Sequence, residues 1–336
     1  MNREEHKIWR IGLDDAVDAA ALVRVGFISD SHYAPHLDCG RLQSFRVCSQ
    51  EAPAPPCWGE CRRYGDSLEK MRRFMRHMNR LGVDFVVEGG DFKDLGRTPE
   101  ESLAYLDAME SAFSEFRGPR YHVLGNHDHD NLSKNEFLSH VANSGQRAAR
   151  AWYSFDCKGV RFIVLDGNYR SDGKPYGRGN FDWRDCFIPQ EQIEFLRSEL
   201  ASAPGPCVPF LHQQLDATDN TLIANAADVR RAIEESGKVK CVVQGHWHTG
   251  SFREINRVAY YSAPASVFDS VAESDAHSLI EIFPSGGVRI SLFGYAAELK
   301  PSLLPAVGSK FLRTAWPKFV HRRVVSKKSV RVVALP

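Results

Sequence analysis

Apolar and polar positions alternate along this chain in two rhythms. Residues 22–29 are rich in β-branched and aromatic side chains and end at Asp30-Ser31-His32, the pattern of a buried strand. Leu68, Met71, Met75, Met78 and Leu81 recur at three- and four-residue spacing and Gly82 follows, so residues 67–81 are expected to be helical. An apolar stretch at 84–87 then runs into Glu88-Gly89-Gly90-Asp91. Thr98-Pro99-Glu100-Glu101 supplies the cap, the first-turn proline and the third-position acid of a new helix, with Leu103, Leu106, Met109, Phe113 and Phe116 on one face. After Gly118-Pro119, residues 121–124 lead into Gly125-Asn126-His127-Asp128. Strand, helix, strand, helix, strand in that order predicts a parallel sheet centre.

The second half repeats the theme less regularly. Residues 152–155 and 161–165 read as a strand pair, and 189–200 as a helix carrying Ile193, Leu196 and Leu200. Residues 207–211 form a strand ending at His212. A helix at 225–236 precedes the strand 239–244, which ends at Gly245-His246-Trp247-His248. Further strands are expected at 258–261, 278–283 and 288–293. Residues 1–21 read as a polar extension, partly helical from residue 14, and 34–64 as a Pro-, Gly- and Cys-rich loop inserted in a domain spanning 22–296. Residues 297–336 read as a basic tail, with an added strand at 330–333.

With 336 residues, 43% of them hydrophobic and 25% charged, the composition is that of a soluble globular protein. A net charge of +1 gives no general attraction to nucleic acid or anionic membranes. No apolar run is long enough to span a bilayer, and the N-terminus lacks the apolar core of a signal peptide. The expectation is a cytoplasmic protein with reduced thiols. Cys39, Cys48, Cys57 and Cys61 share one loop, but their spacing is not a zinc signature.

The strand ends collect Asp30, His32, Asp91, Asn126, His127, Asp128, His212, His246 and His248. Taken singly, each has an ordinary explanation: Asp30 as a helix cap, Asp91 as a turn residue, His212 as a satisfied core histidine. Asp166-Gly167 reads as a turn, His129 and Asp130 as exposed loop, and His36 and His122 as structural or exposed. Together, carboxylate, imidazole and amide oxygen suit first-row divalent ions such as Mn, Fe or Zn. Even seven ligands from these nine residues would exceed the needs of one ion.

The order D-x-H, G-D, G-N-H-D, a lone H and G-H-x-H, at Asp30 to His32, Gly90-Asp91, Gly125 to Asp128, His212 and Gly245 to His248, resembles the calcineurin-like metallophosphoesterase superfamily. The resemblance implies a four-layer α/β/β/α sandwich with mixed sheets and a dinuclear site. It implies that Asp30, His32 and His248 hold one ion and that Asn126, His212 and His246 hold the other, with Asp91 between them. It also implies that His127 acts on the substrate phosphate and that Asp128 orients or charges His127. A metal-bridging hydroxide would attack phosphorus, because two ions about 3.5–4 Å apart neutralise a phosphate and acidify water.

Asp94 stands where purple acid phosphatases carry a tyrosine, which argues against a tyrosinate-bound ferric site. Arg63-Tyr64-Gly65-Asp66-Ser67-Leu68, Trp152 to Phe155, Arg161 to Asp166 and Gln192 to Leu196 resemble manganese-dependent ADP-ribose/CDP-alcohol diphosphatases. Gly65 and the Leu-His-Gln-Gln segment at His212 depart from that pattern. The resemblance implies Mn as the metal, a small nucleotide-derived phosphorylated substrate rather than nucleic acid, and Tyr64 as a substrate-binding residue; Tyr64, Phe181 and Trp183, in the flanking loops, read either as base-stacking residues or as surface and packing residues. The alternatives are a cyclic-nucleotide or general phosphodiesterase or phosphomonoesterase with the same site, and a non-catalytic metal-binding interaction module.

Overall fold

The computed structural model describes residues 7–14, 18–37, 62–147, 149–219, 221–268 and 275–294, together with the backbone of 330–334. Strand β1 is Lys7–Ile11, β2 Val23–Ile28, β3 Phe85–Glu88 and β4 Arg120–His122. They join β11 (His277–Ile282), β12 (Val288–Phe293) and β13 (Val330–Ala334) in a seven-stranded sheet ordered β13-β1-β12-β11-β2-β3-β4. The second sheet has six strands ordered β5-β6-β7-β8-β10-β9: β5 Tyr153–Cys157, β6 Val160–Val164, β7 Cys207–Leu211, β8 Cys241–Gln244, β9 Ser251–Ile255 and β10 Val258–Ser262. Strands β2, β3 and β4 run parallel, as do β6, β7, β8 and β10, while both sheets carry antiparallel strands at their margins.

Helices α1 (Ser67–Leu81), α2 (Pro99–Phe113) and α3 (Lys134–His140) pack on the outer face of the first sheet. Helices α4 (Gln190–Ser202) and α5 (Ala226–Ser236) cover the second. The inner faces meet in a core where Phe27 lies 5.8 Å from Phe210 and Phe85 lies 4.8 Å from Phe162, ring centre to ring centre. This is the expected four-layer sandwich.

Local chemistry explains the elements. Helix α1 buries Met71, Phe74, Met75 and Met78 and lies so close to β2 that a Cβ at Gly26 would meet Met78 Sδ at 2.5 Å. Thr98 caps α2 by accepting from Glu101 N, with Pro99 at the first position. Helix α3 opens on a reciprocal cap between Ser133 and Glu136.

Three elements differ from the expectation. Residues 7–11, expected to lie in the extension, form β1, paired with β12 and β13. Helix α3 and strand β9 were not predicted. Only Phe137 of α3 is buried, and every residue of β9 is half-buried, so neither carries a clear apolar period. The added strand near the C-terminus is present as β13. The four cysteines of the 34–64 loop and most of the basic tail lie outside the described residues. Cys157, Cys186, Cys207 and Cys241 are free thiols. No helix among the described residues is long and apolar enough to cross a membrane.

Candidate metal centre

The carboxyl ends of β2, β3, β4, β7 and β8 meet at one edge of the sandwich, where sheets with parallel strands place their chemistry. Two groups of side chains that share a residue gather there, each with one ligand atom per residue within 4.8 Å of the others, Asp30, His32, Asp91 and His248, and Asp91, His212 and His246, beside a third made of His32, Asp94 and His127. Asp91 belongs to both. Its Oδ2 lies 3.5 Å from His32 Nε2 and 3.2 Å from His212 Nε2. His248 Nε2 lies 3.4 Å from Asp30 Oδ1 and 3.2 Å from His32 Nε2.

Four of these side chains are aimed by the second polar atom. Asp30 Oδ2 accepts from Ser29 Oγ at 2.6 Å and His246 N at 3.1 Å, leaving Oδ1 to face the centre. Asp91 Oδ1 accepts from His127 N at 2.7 Å, leaving Oδ2. His212 Nδ1 donates to Gly89 O at 2.8 Å and His32 Nδ1 lies 3.0 Å from Asp94 Oδ2, so Nε2 of both rings points inward. Imidazoles that hold metal ions have this outer-shell support.

The backbone is shaped for the same purpose. Asp30, His32, Asp91 and His246 have φ of 56°, 47°, 55° and 65°, a left-handed conformation that side chains rarely adopt. Asp30 N donates to Gly90 O at 3.0 Å and His32 N to Asp91 O at 2.8 Å, holding the two turns against each other. Gly125 permits the third turn to approach: a Cβ there would lie 2.0 Å from Asp91 N.

Among the described residues, Asp30 Oδ1, Asn126 Oδ1, His212 Nε2 and His246 Nε2 are buried and lack a hydrogen-bond partner. Buried polar atoms are nearly always satisfied. Three of these orphans belong to the gathered carboxylates and imidazoles and the fourth to the adjoining Asn126 turn, a donor set that fits divalent cations.

The two carboxylates are ionised, as ligands of a cation must be. Burial opposes ionisation of Asp30, but the His212 and His248 imidazoles outweigh it and hold the carboxyl at about 2. Asp91 is likewise held well below the carboxylate range, burial being overcome by His212, His127 and His32. The same field acts on the imidazoles. Burial opposes the charge on His212, but Asp91 and Asp30 push it to about 10, whereas burial and the neighbouring His212 charge lower His246 to about 3.

His127 stands beside this cluster, its ring 4.9 Å from that of His32. Its Nδ1 faces two carboxylates, Asp94 Oδ1 at 3.4 Å and Asp130 Oδ2 at 3.7 Å. Burial opposes the His127 charge, and Asp94, Asp91 and Asp130 overcome it, raising the imidazole well above its ordinary range. Asp94 thus supports two rings at once, and spacing from Asp91 was the signal for it: a second carboxylate three residues on, noted above only as the lack of a tyrosine.

The expectation that Asp128 orients His127 is corrected. Asp128 faces the other way and accepts from Gly125 N at 2.8 Å, Asp91 N at 3.1 Å and Phe92 N at 3.0 Å. It ties the Asp91 turn to the Asn126 turn. The expectation of an exposed His129 and Asp130 is also corrected. His129 is fully buried, and the Asp130 side chain pairs with the buried Lys93 at 2.5 Å, while Lys93 Nζ also donates to His127 O at 2.6 Å. His122 is structural, between Glu110 at 2.9 Å and Glu88 at 3.5 Å. Asp166 closes no simple turn: it is buried and ion-paired with Lys134.

Tyr64 is half-buried, its hydroxyl 3.4 Å from Arg62 Nη1. Arg62 Nη2 lies 3.4 Å from His248 Nδ1. Phe268 packs on His248 with ring centres 5.0 Å apart. Arg62 and Phe268 carried no sequence signal, because their place depends on segments far apart in the chain.

Comparison with known proteins agrees with this geometry. A manganese-dependent ADP-ribose/CDP-alcohol diphosphatase of Arabidopsis thaliana is 34% identical over 111 residues, 32% of this chain and 35% of that protein. The match thus spans about a third of that relative. A protein of the same name from Oryza sativa subsp. japonica is 24% identical over 264 residues, 67% of this chain and 82% of its own length. The crystal structure of a dimetal phosphatase from Danio rerio superposes with a TM-score of 0.62 at 17% identity, covering 79% of this chain and 94% of that one, and so shares its fold. Residues 23–250 match the model of the calcineurin-like phosphoesterase family, so the chain belongs to that family of phosphoester hydrolases.

Proposed function

We propose that the protein is a dinuclear metal-dependent phosphohydrolase that cleaves the diphosphate bond of nucleoside diphosphate derivatives of the ADP-ribose or CDP-alcohol type. The metal reading rests on the carboxylates and imidazoles that gather around Asp91, among them the orphaned atoms of Asp30, His212 and His246, together with the orphaned Asn126 amide oxygen on the adjoining turn. Asp30, His32 and His248 would hold one divalent ion and Asn126, His212 and His246 the other, with Asp91 common to both. Manganese is the metal named for both plant relatives, and the donor set suits it, as it suits iron or zinc. Bound ions would neutralise the substrate phosphate and make a water molecule acidic enough to attack it.

The chain's own residues supply the rest. His127 has Nδ1 turned to Asp94 and Asp130, which leaves Nε2 to give a proton to the leaving oxygen. Asp94 fixes the His32 and His127 rings relative to each other, so the proton donor and the first ion site share a support. Asp128 acts through the backbone, by holding the turns that carry Asp91 and Asn126. Tyr64, beside Arg62 at the mouth, faces the part of the substrate beyond the reacting phosphate.

The substrate assignment draws on the names of the plant relatives and on the Tyr64 segment. It is tested by incubating the purified protein with Mn²⁺ and ADP-ribose, CDP-choline, cyclic AMP and bis-p-nitrophenyl phosphate, with products separated by chromatography. AMP and CMP are expected from the first two, well ahead of cleavage of the others. Cleavage of only the cyclic nucleotide or the artificial diester would overturn the diphosphatase assignment and leave a phosphodiesterase. No cleavage of any of them, with metals bound, would mark a non-catalytic module.

A further inference from the structure

The loop between β6 and α4 carries aromatic side chains that the proposed chemistry does not use. Phe181 lies against His127 with ring centres 5.4 Å apart, and Trp183 against His246 at 6.2 Å. One loop therefore sends one ring to the proton-donating side of the centre and another to the metal side.

The placement of Trp183 is fixed from below. Tyr176 is buried, and its hydroxyl lies 2.5 Å from Asp182 O and 2.9 Å from Asp185 O, the carbonyls that bracket Trp183. Asp185 N donates to Asp182 O at 2.9 Å, Arg184 N to Asp182 Oδ1 at 3.1 Å, and the Cys186 thiol to Trp183 O at 3.2 Å. Tyr176 N in turn donates to Asn168 O at 2.9 Å, which ties the turn back to the end of β6. Arg184 lies over the indole at 4.5 Å and steadies it. The result is a half-buried indole held in one position at the edge of a site for phosphate.

We propose that Trp183 is a specificity-determining residue, the surface on which the planar base of a nucleotide stacks while its phosphate lies over the centre, and that Tyr176 is the positioning residue that holds it there. An indole offers a large, rigid π-face at little conformational cost. Stacking one base on an aromatic side chain changes affinity by about tenfold or more. The proposal rests on the centre being a phosphate site but not on which bond is cleaved.

The test compares two ligands that differ only by the base. AMP and ribose 5-phosphate are titrated calorimetrically into the Mn²⁺-loaded protein and into Trp183→Leu, Trp183→Phe and Tyr176→Phe. The wild type is expected to bind AMP at least about tenfold more tightly than ribose 5-phosphate. Trp183→Leu should erase that ratio and leave the ribose 5-phosphate affinity unchanged. Trp183→Phe should keep most of the ratio, and Tyr176→Phe, with the indole intact but its turn unpinned, should lose part of it. A wild type without preference overturns the proposal, as does a Trp183→Leu that retains the preference or weakens both ligands alike. A Trp183-dependent preference in a protein that cleaves no diphosphate would keep the base site and reject the diphosphatase reading. Diphosphate cleavage without such a preference would do the reverse.

Discussion

At the floor of the centre the side chains leave the ends of parallel strands, most of them are buried, and Asp30, His32, Asp91 and His212 each have the second polar atom engaged by backbone or a neighbour. At the rim, Tyr64, Phe181, Trp183 and Phe268 sit half-buried on loops. Asp30, His32, Asp91 and His246 on the floor have positive φ, while none of the four rim residues does. Left-handed backbone costs on the order of 1 kcal/mol per residue and persists only where surrounding structure enforces it. The floor is thus strained and enforced, the rim free of that strain. The difference separates the chemistry, which needs fixed ligand directions, from recognition, which needs only a surface at the right distance.

The comparison predicts that floor substitutions abolish chemistry and rim substitutions shift selectivity. Asp91→Asn should have the largest effect. It removes the carboxylate shared by both groups, so turnover should fall on the order of 10⁴-fold and bound manganese should drop, as read by steady-state rates and elemental analysis. His127→Ala comes next: turnover should fall about 10³-fold with metal content unchanged, and a loss of metal would place His127 among the ligands instead. Asp94→Asn should cost about 10- to 100-fold, because it loosens His32 and His127 without removing either. An Asp128→Asn that costs activity while Asp94→Asn does not would restore Asp128 to the role the sequence suggested.

The smallest effect on chemistry should come from His122→Gln, beneath the floor. Burial opposes the His122 charge, but Glu110 and Glu88 raise it to about 9 in the folded protein, from an ordinary 6.5. A raised imidazole stabilises the fold fully below pH 6.5, and that contribution is lost as pH climbs through 9. The wild-type melting temperature should therefore carry a decline across that window, worth roughly 3 kcal/mol. His122→Gln should lack the decline and keep its turnover at neutral pH. An unchanged slope would show that the glutamates do not charge His122.

Why the floor was legible and the rim was not follows from the distances along the chain. A glycine and a polar side chain at the end of an apolar run form a local pattern, and Asp91, Asn126 and His246 each stand in one, while Asp30 ends an apolar run as part of Asp30-Ser31-His32. Arg62 and His248 are 186 residues apart, and no local pattern reports their meeting. The β1 segment, Lys7-Ile8-Trp9-Arg10-Ile11, is short and basic and becomes a strand only because β12 and β13 flank it. Asp128 failed for a local reason. After Asn126 the chain winds into a tight 3₁₀ turn, His127–His129, in which successive side chains diverge and every third returns to the same side. Asp128 is therefore turned away from His127, and Asp130, three residues on, is brought toward it.

The proposed ligand groups are divided between the sheets. Asp30, His32, Asp91 and Asn126 follow strands of the seven-stranded sheet, and His212, His246 and His248 follow strands of the six-stranded one. Apolar packing between the sheets is non-directional and tolerates small rotations, whereas ligand geometry does not. The centre is thus an alignment gauge for the sandwich. A substitution between the sheets at Phe85 or Phe162, farther back along the strands, would be registered first as weakened cation binding, well before any loss of secondary structure.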